Sequence, residues 1–587
     1  MKTISKLAGI IAVMFTFMQC GDPLDKENLA AITGDLVWSN PQIAEAYVND
    51  MYAAFMPGFD TGEFSNTDEG GGIYGGSTIS AYIRGSIISN SYDYYPYDDI
   101  RRINIFLANI NGATFGEDVR NSLKGQALFW RAWAYFRMVR AYGGVPLILE
   151  PAEPDDEAAI FVPRNKTSEC FTQIAKDLDE AIRLLENKSD IGRIDKCAAM
   201  AFKGRVLLFK ASPQFNRDNS AALWQEAYTA NREALEFLDA QGKGLYDDYR
   251  NIWLDEMNRE VIMVRRYAYP AASNGSSQQG MRPLLYSRGA VGGNVPSLEL
   301  VNAYPMKDGS RWDPATMDYR KLHQNRDARF YASIACNGTE PYISPMFGNE
   351  NLWTYWFDGD GDPSTGINGK ESRADNNSDF GQWAENLFSY TGFYPAKMLD
   401  QTITRVTAPD GSVDWIEIRY AEVLMNYAEA ASETGKTDEA LNALYRIRQR
   451  AAIEPGDGSY GIRAASTEEL RKVIQDERFV EFAFETKRFW DLRRWRIFGS
   501  TFNNMEDKSR HGLRIEYTGD VSQRPRLLTD INSVWDQFTV TVIPDFEPSN
   551  VLPEDKYSFF GIPTSVLDRN SKIEQNNTWE GTFNPLE

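Results

Sequence analysis

Histidine and cysteine are scarce in this sequence of 587 residues, which contains two His and four Cys. Neither His323 nor His511 stands at metal-ligand spacing from a cysteine, so histidine chemistry and a zinc site have little material. The sequence also lacks a nucleophile motif, an HExxH zinc motif, a glycine-rich phosphate-binding loop and a dinucleotide fingerprint. Signatures of the common hydrolases, nucleotide-binding proteins and dehydrogenases are therefore missing.

Positive charge is also in short supply, because 83 acidic residues outnumber 62 basic ones and give a formal net charge of −21. Such a surface repels nucleic acid and polyanionic ligands, so no nucleic acid partner is expected and neutral or cationic ligands are favoured. Aromatic residues are plentiful instead, at 13% of the chain, with 14 Trp and 29 Tyr. Their large apolar faces and polar tips suit binding surfaces as well as cores.

The apolar run that could resemble a membrane span lies at the amino terminus and is too short to serve as one. Lys2 and Lys6 precede an apolar run of twelve residues at positions 7–18, and Cys20 follows directly. A basic start followed by a short apolar run is typical of an export signal. The sequence therefore predicts a signal peptide over residues 1–19 that is removed.

Cys20 and the Gly that follows it resemble the cleavage point of a bacterial lipoprotein, in which this cysteine becomes the lipidated first residue. Phe17 and Gln19 replace the usual Leu and small residue, and an ordinary secretory signal that contains a cysteine is the alternative. The acidic tract after Cys20 resembles a surface-export signal of outer-membrane lipoproteins. We expect residues 20–40 to form a lipidated tether.

Apolar residues at helical spacing dominate three later stretches, at residues 41–56, 98–240 and 415–500. Within the second stretch, residues 124–142 are apolar nearly all round, which predicts a buried helix. In the third, a helical hairpin at residues 417–450 is 34 residues long, the period of a tetratricopeptide repeat. No full repeat consensus is visible, and the predicted fold is mostly α.

Three loop-rich stretches, at residues 57–97, 241–414 and 501–587, interrupt the helices with Gly, Ser, Asn and Tyr. We expect residues 57–97 to form a long exposed loop and the three stretches together to form a mixed subdomain. Residues 261–269 and 353–357 are predicted strands. Because loops of this length in a compact protein are usually functional or disordered, we look for a ligand site in this subdomain, within residues 41–587.

Aromatic residues of these loops are the candidate ligand-binding side chains. In WTYWF, residues 353–357, an extended backbone points Trp353 and Tyr355 to one face and Trp356 to the other. Flat rings stack on the C–H faces of sugars, and Asp358 offers oxygens to hydroxyls. The alternative is that these rings fill the core of the insertion. The candidates are Tyr74, Tyr82, Tyr94, Tyr95, Tyr286, Trp353, Tyr355, Trp356, Asp358 and Trp383.

Asp358, Asp360 and Asp362, in DGDGDPSTG, resemble the start of a calcium loop. However, Pro363 stands where an EF-hand needs glycine, and Gly369 stands where it needs a bidentate glutamate. The alternative is a solvated Asp-Gly turn. No cofactor is predicted, and calcium is the metal that these aspartates suit.

Glu477, Glu481 and Glu485 recur every four residues in ERFVEFAFETKRFWDLRRW, residues 477–495, which is predicted to belong to one helix that begins at Ser466. On a helix, successive members are about 6 Å apart, near the carboxylate separation of a retaining glycoside hydrolase. However, basic residues follow the acids at helical spacing, as Arg488 follows Glu485 by three residues, and aromatic residues surround them. This pattern favours buried ion pairs instead. Carboxylates beside arginines have lowered pKa values, the opposite of what a general acid needs.

Several segments, taken in order, resemble the SusD/RagB family of outer-membrane nutrient-binding lipoproteins across essentially the whole mature chain. Each segment alone is a weak signal, but the ordered set is specific. The segments are the start at Cys20, GQALFWRAWAYFRMVRAYGGVPLI at 125–148, PSLELVNAYPMKDG at 296–309, NRDARFYASI at 325–334, EIRYAEVLMNYAEAASETG at 417–435, residues 477–495, and a tail with Ile562-Pro563, Gln575-Asn576 and Trp579.

The resemblance implies a SusD-like fold, in which tetratricopeptide-like helix pairs carry a loop-rich insertion with the ligand site. Members of the family lie on the cell surface and cap a SusC-like TonB-dependent transporter; most bind glycans, some handle peptides, and they are not enzymes. We therefore expect a lipid-anchored protein that delivers a neutral glycan to such a transporter. The alternatives are a peptide-binding member, a glycoside hydrolase and a helical scaffold for periplasmic partners.

Overall fold

Helices are the main secondary structure of the computed structural model of the protein, and its strands are short. The structure describes residues 34–59, 63–71, 80–153, 155–274, 281–282, 295–339, 351–357, 372–373, 389–400, 403, 407, 410–520, 525, 531–544 and 548–587. Within these ranges, no helix combines the length and the apolar character that crossing a membrane requires.

The long helices fall in the three stretches where the sequence predicts them, and shorter ones punctuate the remainder of the chain. In chain order they are α1 Gly34–Ser39, α2 Pro41–Phe55, α3 Ala81–Arg84, α4 Tyr97–Asn109, α5 Glu117–Tyr142, α6 Glu157–Ile160, α7 Thr167–Leu184, α8 Lys196–Ala211, α9 Ala221–Ala240, α10 Leu298–Ala303, α11 Ala328–Ser333, α12 Tyr420–Glu433, α13 Thr437–Arg450, α14 Thr467–Glu481, α15 Arg488–Arg494, α16 Phe498–Asn503, α17 Glu554–Ser558 and α18 Thr564–Arg569.

Local side chains set the helix ends that the sequence predicts. Asn40 caps α2, because its Oδ1 accepts a hydrogen bond from the backbone N–H of Gln42 at 2.9 Å. Ser466 caps α14 in the same way, with Oγ 3.2 Å from the backbone nitrogen of Glu469. Gly143 follows α5 with a φ of 80°, a conformation that favours glycine and ends the helix.

The helices pack in pairs around a main hydrophobic core. Helix α5 contacts α7, α8 contacts α9, and α12 contacts α13. A side chain at Gly204 of α8 would place Cβ 2.3 Å from Oδ1 of Asn231, so the close packing of α8 on α9 requires glycine. Helix α1 lies within the predicted tether, yet its Val37 is buried in this core. The mostly α fold predicted from periodicity is confirmed.

The strands pair in small sheets, and the predicted strand at 261–269 is shorter than expected. The strands are β1 Gly70–Gly71, β2 Val261–Arg265, β3 Val295–Pro296, β4 Ile334–Ala335, β5 Trp356–Phe357, β6 Ser372–Arg373, β7 Tyr394–Pro395, β8 Trp415–Arg419, β9 His511–Tyr517 and β10 Phe538–Pro544. Strands β2 and β8 are antiparallel with an irregular register, β1 pairs with β3, and β4 pairs with β7. A four-stranded sheet has the order β10-β9-β5-β6.

A second hydrophobic core lies under the four-stranded sheet, and the end of α14 reaches both cores. Leu513 of β9 and Phe538 of β10 belong to the second core, together with Val480 and Phe484. Phe482, between the latter two in sequence, belongs to the main core. The segment after α14 therefore joins the helical scaffold to the mixed subdomain.

Residues 477–495 are not part of one continuous helix, so that prediction is wrong. Helix α14 ends at Glu481 and α15 begins at Arg488. Between them Phe484 and Thr486 have φ values of 64° and 57°, a left-handed conformation that cannot continue a right-handed helix. Lys397 holds this turn, because its ammonium group donates to the carbonyl oxygens of Glu481 and Ala483.

Glu481 is the centre of a buried ion-pair cluster. Its carboxylate lies 2.7 Å from Nη1 of Arg419 and 3.0 Å from Nη1 of Arg329, and it also accepts from Arg450. Burial alone would raise the pKa of Glu481, but the charges of Arg450, Arg419 and Arg329 outweigh burial and hold it well below its usual value. The predicted buried ion pairing is confirmed, although its partners come from distant segments.

Glu485 lies in the turn and leaves the acidic stripe of the helix. It pairs with Arg419 at 2.7 Å and with Lys397 at 2.6 Å, rather than with Arg488. Arg488 instead pairs with Asp68 at 2.6 Å. The expected local pairing between Glu485 and Arg488 is therefore wrong, because the left-handed turn points the two side chains toward different segments.

Glu69 is a second buried carboxyl beside this turn, and no basic side chain among the described residues hydrogen-bonds to it. Its Oε1 accepts the backbone N–H of Phe484 at 3.1 Å, and Thr67 Oγ1 lies 3.3 Å from Oε2. Burial, reinforced by the charge of Asp68, raises the pKa of Glu69 to about 8. This shift favours the protonated form of Glu69 in the folded protein at neutral pH.

We expect Glu481→Ala to lower the free energy of unfolding by about 3–5 kcal/mol, because it leaves buried arginines without their partner. Urea unfolding checks this value. The matched control is Asp476→Ala on the same helix, whose ion pairs with Arg311 and Lys472 reach solvent and are worth at most about 1 kcal/mol. Equal losses in the two variants would contradict the central role of the cluster.

We expect Glu69→Gln to raise stability at pH 8 and to have little effect below pH 4.5. The folded pKa of Glu69, about 8, lies above the ordinary 4.5. As pH rises, Glu69 therefore loses its proton in the unfolded chain before it does so in the folded protein. Between these two pKa values the free energy of unfolding falls by up to about 1.4 kcal/mol per pH unit. Thermal unfolding across pH measures the difference, with exposed Glu468→Gln as control. Parallel pH curves for wild type and Glu69→Gln would disprove it.

Candidate functional site

The candidate tyrosines described in the stretch 57–97 pack against the main core. Tyr82 donates from its hydroxyl to the carbonyl oxygen of Ser91 at 3.0 Å, and its ring lies 5.1 Å from that of Phe489. Tyr95 packs 4.9 Å from the ring of Tyr97. The expectation of one long exposed loop is therefore wrong where the stretch is described, because these apolar ring faces are buried against the helices.

Tyr94 is also covered by protein. The guanidinium of Arg137 lies 3.9 Å from the centre of its ring, a cation–π distance. Burial raises the pKa of Tyr94 to about 12. The structure therefore places Tyr82, Tyr94 and Tyr95 in the helical scaffold, half-buried, with their rings packed against the main core.

Trp353, Tyr355 and Trp356 follow the predicted alternation, although only Trp356 belongs to a strand. Trp353 and Tyr355 are 4% and 1% exposed in the second core. Trp353 stacks at 6.0 Å on Phe538 of β10. Trp356 is half-buried on the other side, with the guanidinium of Arg514 4.7 Å from its ring. The alternative of a core role applies to the first two, and Trp356 is the member that reaches the surface.

Four candidates, namely Tyr74, Tyr286, Asp358 and Trp383, lie outside the described residues. The calcium-loop aspartates Asp358, Asp360 and Asp362 and the lipidation candidate Cys20 lie outside them as well, so these assignments stay predictions. In the part of the chain that the structure describes, no cluster of three or more His, Cys, Asp or Glu residues could hold a metal ion.

A cavity of about 580 Å³ lies where the helical scaffold meets β2 and β8. One part of its wall is aromatic, and Phe59 there packs 5.2 Å from the ring of Trp415 and 6.1 Å from that of Tyr267. Trp133 of α5 and Trp490 of α15 add further rings. Sites for small molecules commonly have this size and this mixture of aromatic and polar walls.

The opposite part of the cavity wall carries paired charges. Arg205 lies 2.7 Å from the carboxylate of Glu417 and 2.6 Å from that of Glu422. Lys487 lies 3.2 Å from Glu417 and 3.5 Å from Glu422. Burial would raise the pKa of Glu422, but Arg205 and Lys487 outweigh it and lower this pKa to about 2. Both acids are therefore ionised and neutralised by their partners.

Sequence reasoning missed this cavity because its lining comes from segments spread between residues 57 and 491. Arg265 at the end of β2 and Glu417 in β8 meet only because those strands pair. The motif at 477–495 contributes Lys487, Trp490 and Asp491, yet its sequence shows no sign of a concave surface. The sequence carries no local signal that would have revealed this cavity.

The fold and the site define a helical-repeat scaffold that carries a smaller, strand-containing subdomain with a surface tryptophan. The family model described as the SusD family matches residues 259–579, and one described as "Starch-binding associating with outer membrane" matches residues 81–208. The chain belongs to the SusD family. The resemblance found in the sequence is thereby confirmed.

Similar proteins extend the match over most of the chain. SusD-like protein P2 of Formosa agariphila is 24% identical over 443 residues, 72% of this chain and 75% of that protein. A crystal structure of a SusD-like protein from Bacteroides fragilis is 26% identical with a TM-score of 0.69, covering 93% of this chain and 98% of that one. A laminarin binding SusD-like protein shares the fold at 19% identity and a TM-score of 0.56, covering 91% and 98%.

Proposed function

We propose that this protein is a lipid-anchored, surface-exposed lipoprotein of the outer membrane that binds glycans. It delivers oligosaccharides or polysaccharide segments to a SusC-like TonB-dependent transporter. The match of residues 259–579 to the SusD family carries this proposal. The starch-binding description of the model for residues 81–208 and the laminarin-binding structural neighbour support it.

Trp356 supplies the described surface group that suits a sugar. Its strand pairs with β9 and rests on the second core, so the indole is held on a rigid base. A fixed aromatic face loses little entropy when it stacks on the C–H face of a sugar ring. The guanidinium of Arg514, which pairs with Glu516 at 2.9 Å, lies 4.7 Å from the indole ring and helps to hold it in place.

The carboxylates that resembled a catalytic pair support binding without cleavage. Glu477 and Glu481 are 2% and 0% exposed, so a glycan has no access to them. Arginine charges outweigh burial and lower both pKa values, which keeps the carboxylates ionised and unable to donate a proton as a general acid requires. Incubation with a bound glycan should release no new reducing ends, and sustained release would refute a purely binding role.

We expect Trp356→Ala to weaken glycan binding roughly fivefold, since one aromatic contact is worth about 1 kcal/mol. Affinity electrophoresis against a panel of neutral polysaccharides, followed by calorimetry with the best ligand, measures this change. Trp38→Ala is the matched control, because Trp38 is also half-buried but packs on Phe106 in the helical scaffold. Equal affinity in both variants would place the glycan elsewhere, and binding to peptides alone would overturn the ligand class.

We expect Cys20→Ala to move the protein from the membrane fraction to the soluble fraction, because the thiol that carries the lipid is gone. Labelling with a radioactive fatty acid should mark the wild type only. Protease added to whole cells should digest the anchored protein if it faces outward. Protection from protease would instead favour a scaffold for periplasmic partners.

A further inference from the structure

The cavity between the scaffold and β2/β8 has a charge opposite to that of the whole chain. Six basic side chains line it against three acidic ones, an excess of three positive charges in a protein of net charge −21. The pairs of Arg205 and Lys487 with Glu417 and Glu422 balance one another. Arg478 pairs with Asp491 at 2.9 Å. Arg265, by contrast, has no acidic partner among the described residues, and a local positive potential in a low-dielectric cavity attracts an anion.

Arg265 is a base of the cavity wall that has hydrogen-bond donors left for a ligand. Among the described residues its guanidinium makes one hydrogen bond, from Nη1 to the carbonyl oxygen of Met56 at 3.0 Å. Nε and Nη2 keep donors for a further partner. A guanidinium presents its donors in a fixed fork that matches the two oxygens of a carboxylate or sulfate.

Asn426 adds a buried donor whose orientation is fixed. Its Oδ1 accepts from Nη1 of Arg478 at 2.9 Å, and because arginine is a donor only, the amide oxygen must face it. Asn426 lines the cavity, and its Nδ2 is buried without a hydrogen-bond partner in the described structure. A buried donor left unsatisfied destabilises the fold, and an oxygen of a bound ligand would satisfy it.

The acids of the cavity are already occupied. Glu417 and Glu422 accept from Arg205 and Lys487, and Asp491 accepts from Arg478 at 2.9 Å. The acidic groups of the cavity therefore already accept hydrogen bonds from protein side chains, whereas Arg265 and Asn426 still have donors. The missing partner is a group with acceptor oxygens and negative charge.

We propose that this cavity binds a monosaccharide-sized oxyanion, a sugar ring that carries a carboxylate or a sulfate. Arg265 and Asn426 hold the anionic group, and the rings of Phe59, Tyr267 and Trp415 cover the sugar. This site goes beyond glycan capture at Trp356, because it has different residues and the opposite charge preference. It depends on its own residues and not on the proposed function.

Calorimetry with glucuronate, glucose 6-sulfate and glucose tests the site, since the three probes differ at one carbon. We expect at least one charged probe to bind about tenfold more tightly than glucose and to weaken when NaCl rises from about 0.05 to about 0.5 M. Preference for glucuronate identifies a uronic acid as the source of the anion. Preference for glucose 6-sulfate identifies a sulfated sugar.

Arg265→Gln should reduce the affinity for the charged probe at least about tenfold. The matched control is the adjacent Arg266→Gln, because Arg266 pairs with Glu256 and Asp414 and does not line the cavity. Asn426→Asp, which replaces the free donor with a negative charge, should also abolish binding. Circular dichroism and thermal unfolding establish that each variant is folded.

Two results would overturn the inference. One is that glucose binds as well as both charged probes, or that neither charged probe binds. The other is that Arg265→Gln and Arg266→Gln change affinity equally. Glycan binding at Trp356 would be unaffected by Arg265→Gln, so failure of the cavity and failure of the proposed function give different results.

Discussion

The carboxylate of Glu481, held between Arg419, Arg329 and Arg450, is the interaction on which the rest of the structure depends. Arg450 comes from the helix pair of the scaffold, Arg329 comes from the mixed subdomain, and Arg419 lies where β8 meets α12. Each charge alone would be costly to bury, and together they are tolerated because every member has a partner. Glu260 extends the cluster by accepting from Arg419 and Arg450. The cluster fixes how the two parts of the chain meet.

The left-handed turn after Glu481 changes the direction of the chain next to this ion-pair cluster. Bulky residues at positive φ are strained, and the turn persists because Lys397 binds its carbonyl oxygens and Glu69 accepts the N–H of Phe484. The reversal places Phe484 in the second core and sends α15 back along the scaffold. Lys487 and Trp490 reach the cavity only because the helix is interrupted here.

Much of the helical scaffold could be predicted from sequence, because apolar spacing and caps such as Asn40 act within a few residues. The SusD-like fold followed from ordered motifs. The break between α14 and α15 could not be predicted, since residues 477–495 suit a helix locally and the contacts that break it come from Glu69 and Lys397, far away in sequence. For the same reason Tyr82 and Tyr95 looked like loop residues although helices cover them. The cavity has no local signature at all.

The cluster around Glu481 also bears on how the protein acquires its structure. Arg329, Arg419 and Arg450 belong to separate segments of the chain. The carboxylate of Glu481 can therefore be buried only when all three segments have folded around it. Neither the helical scaffold nor the mixed subdomain contains a complete set of charges by itself. We therefore expect the two to fold as one cooperative unit, and a fragment that ends between them to leave unmatched charges at its exposed face.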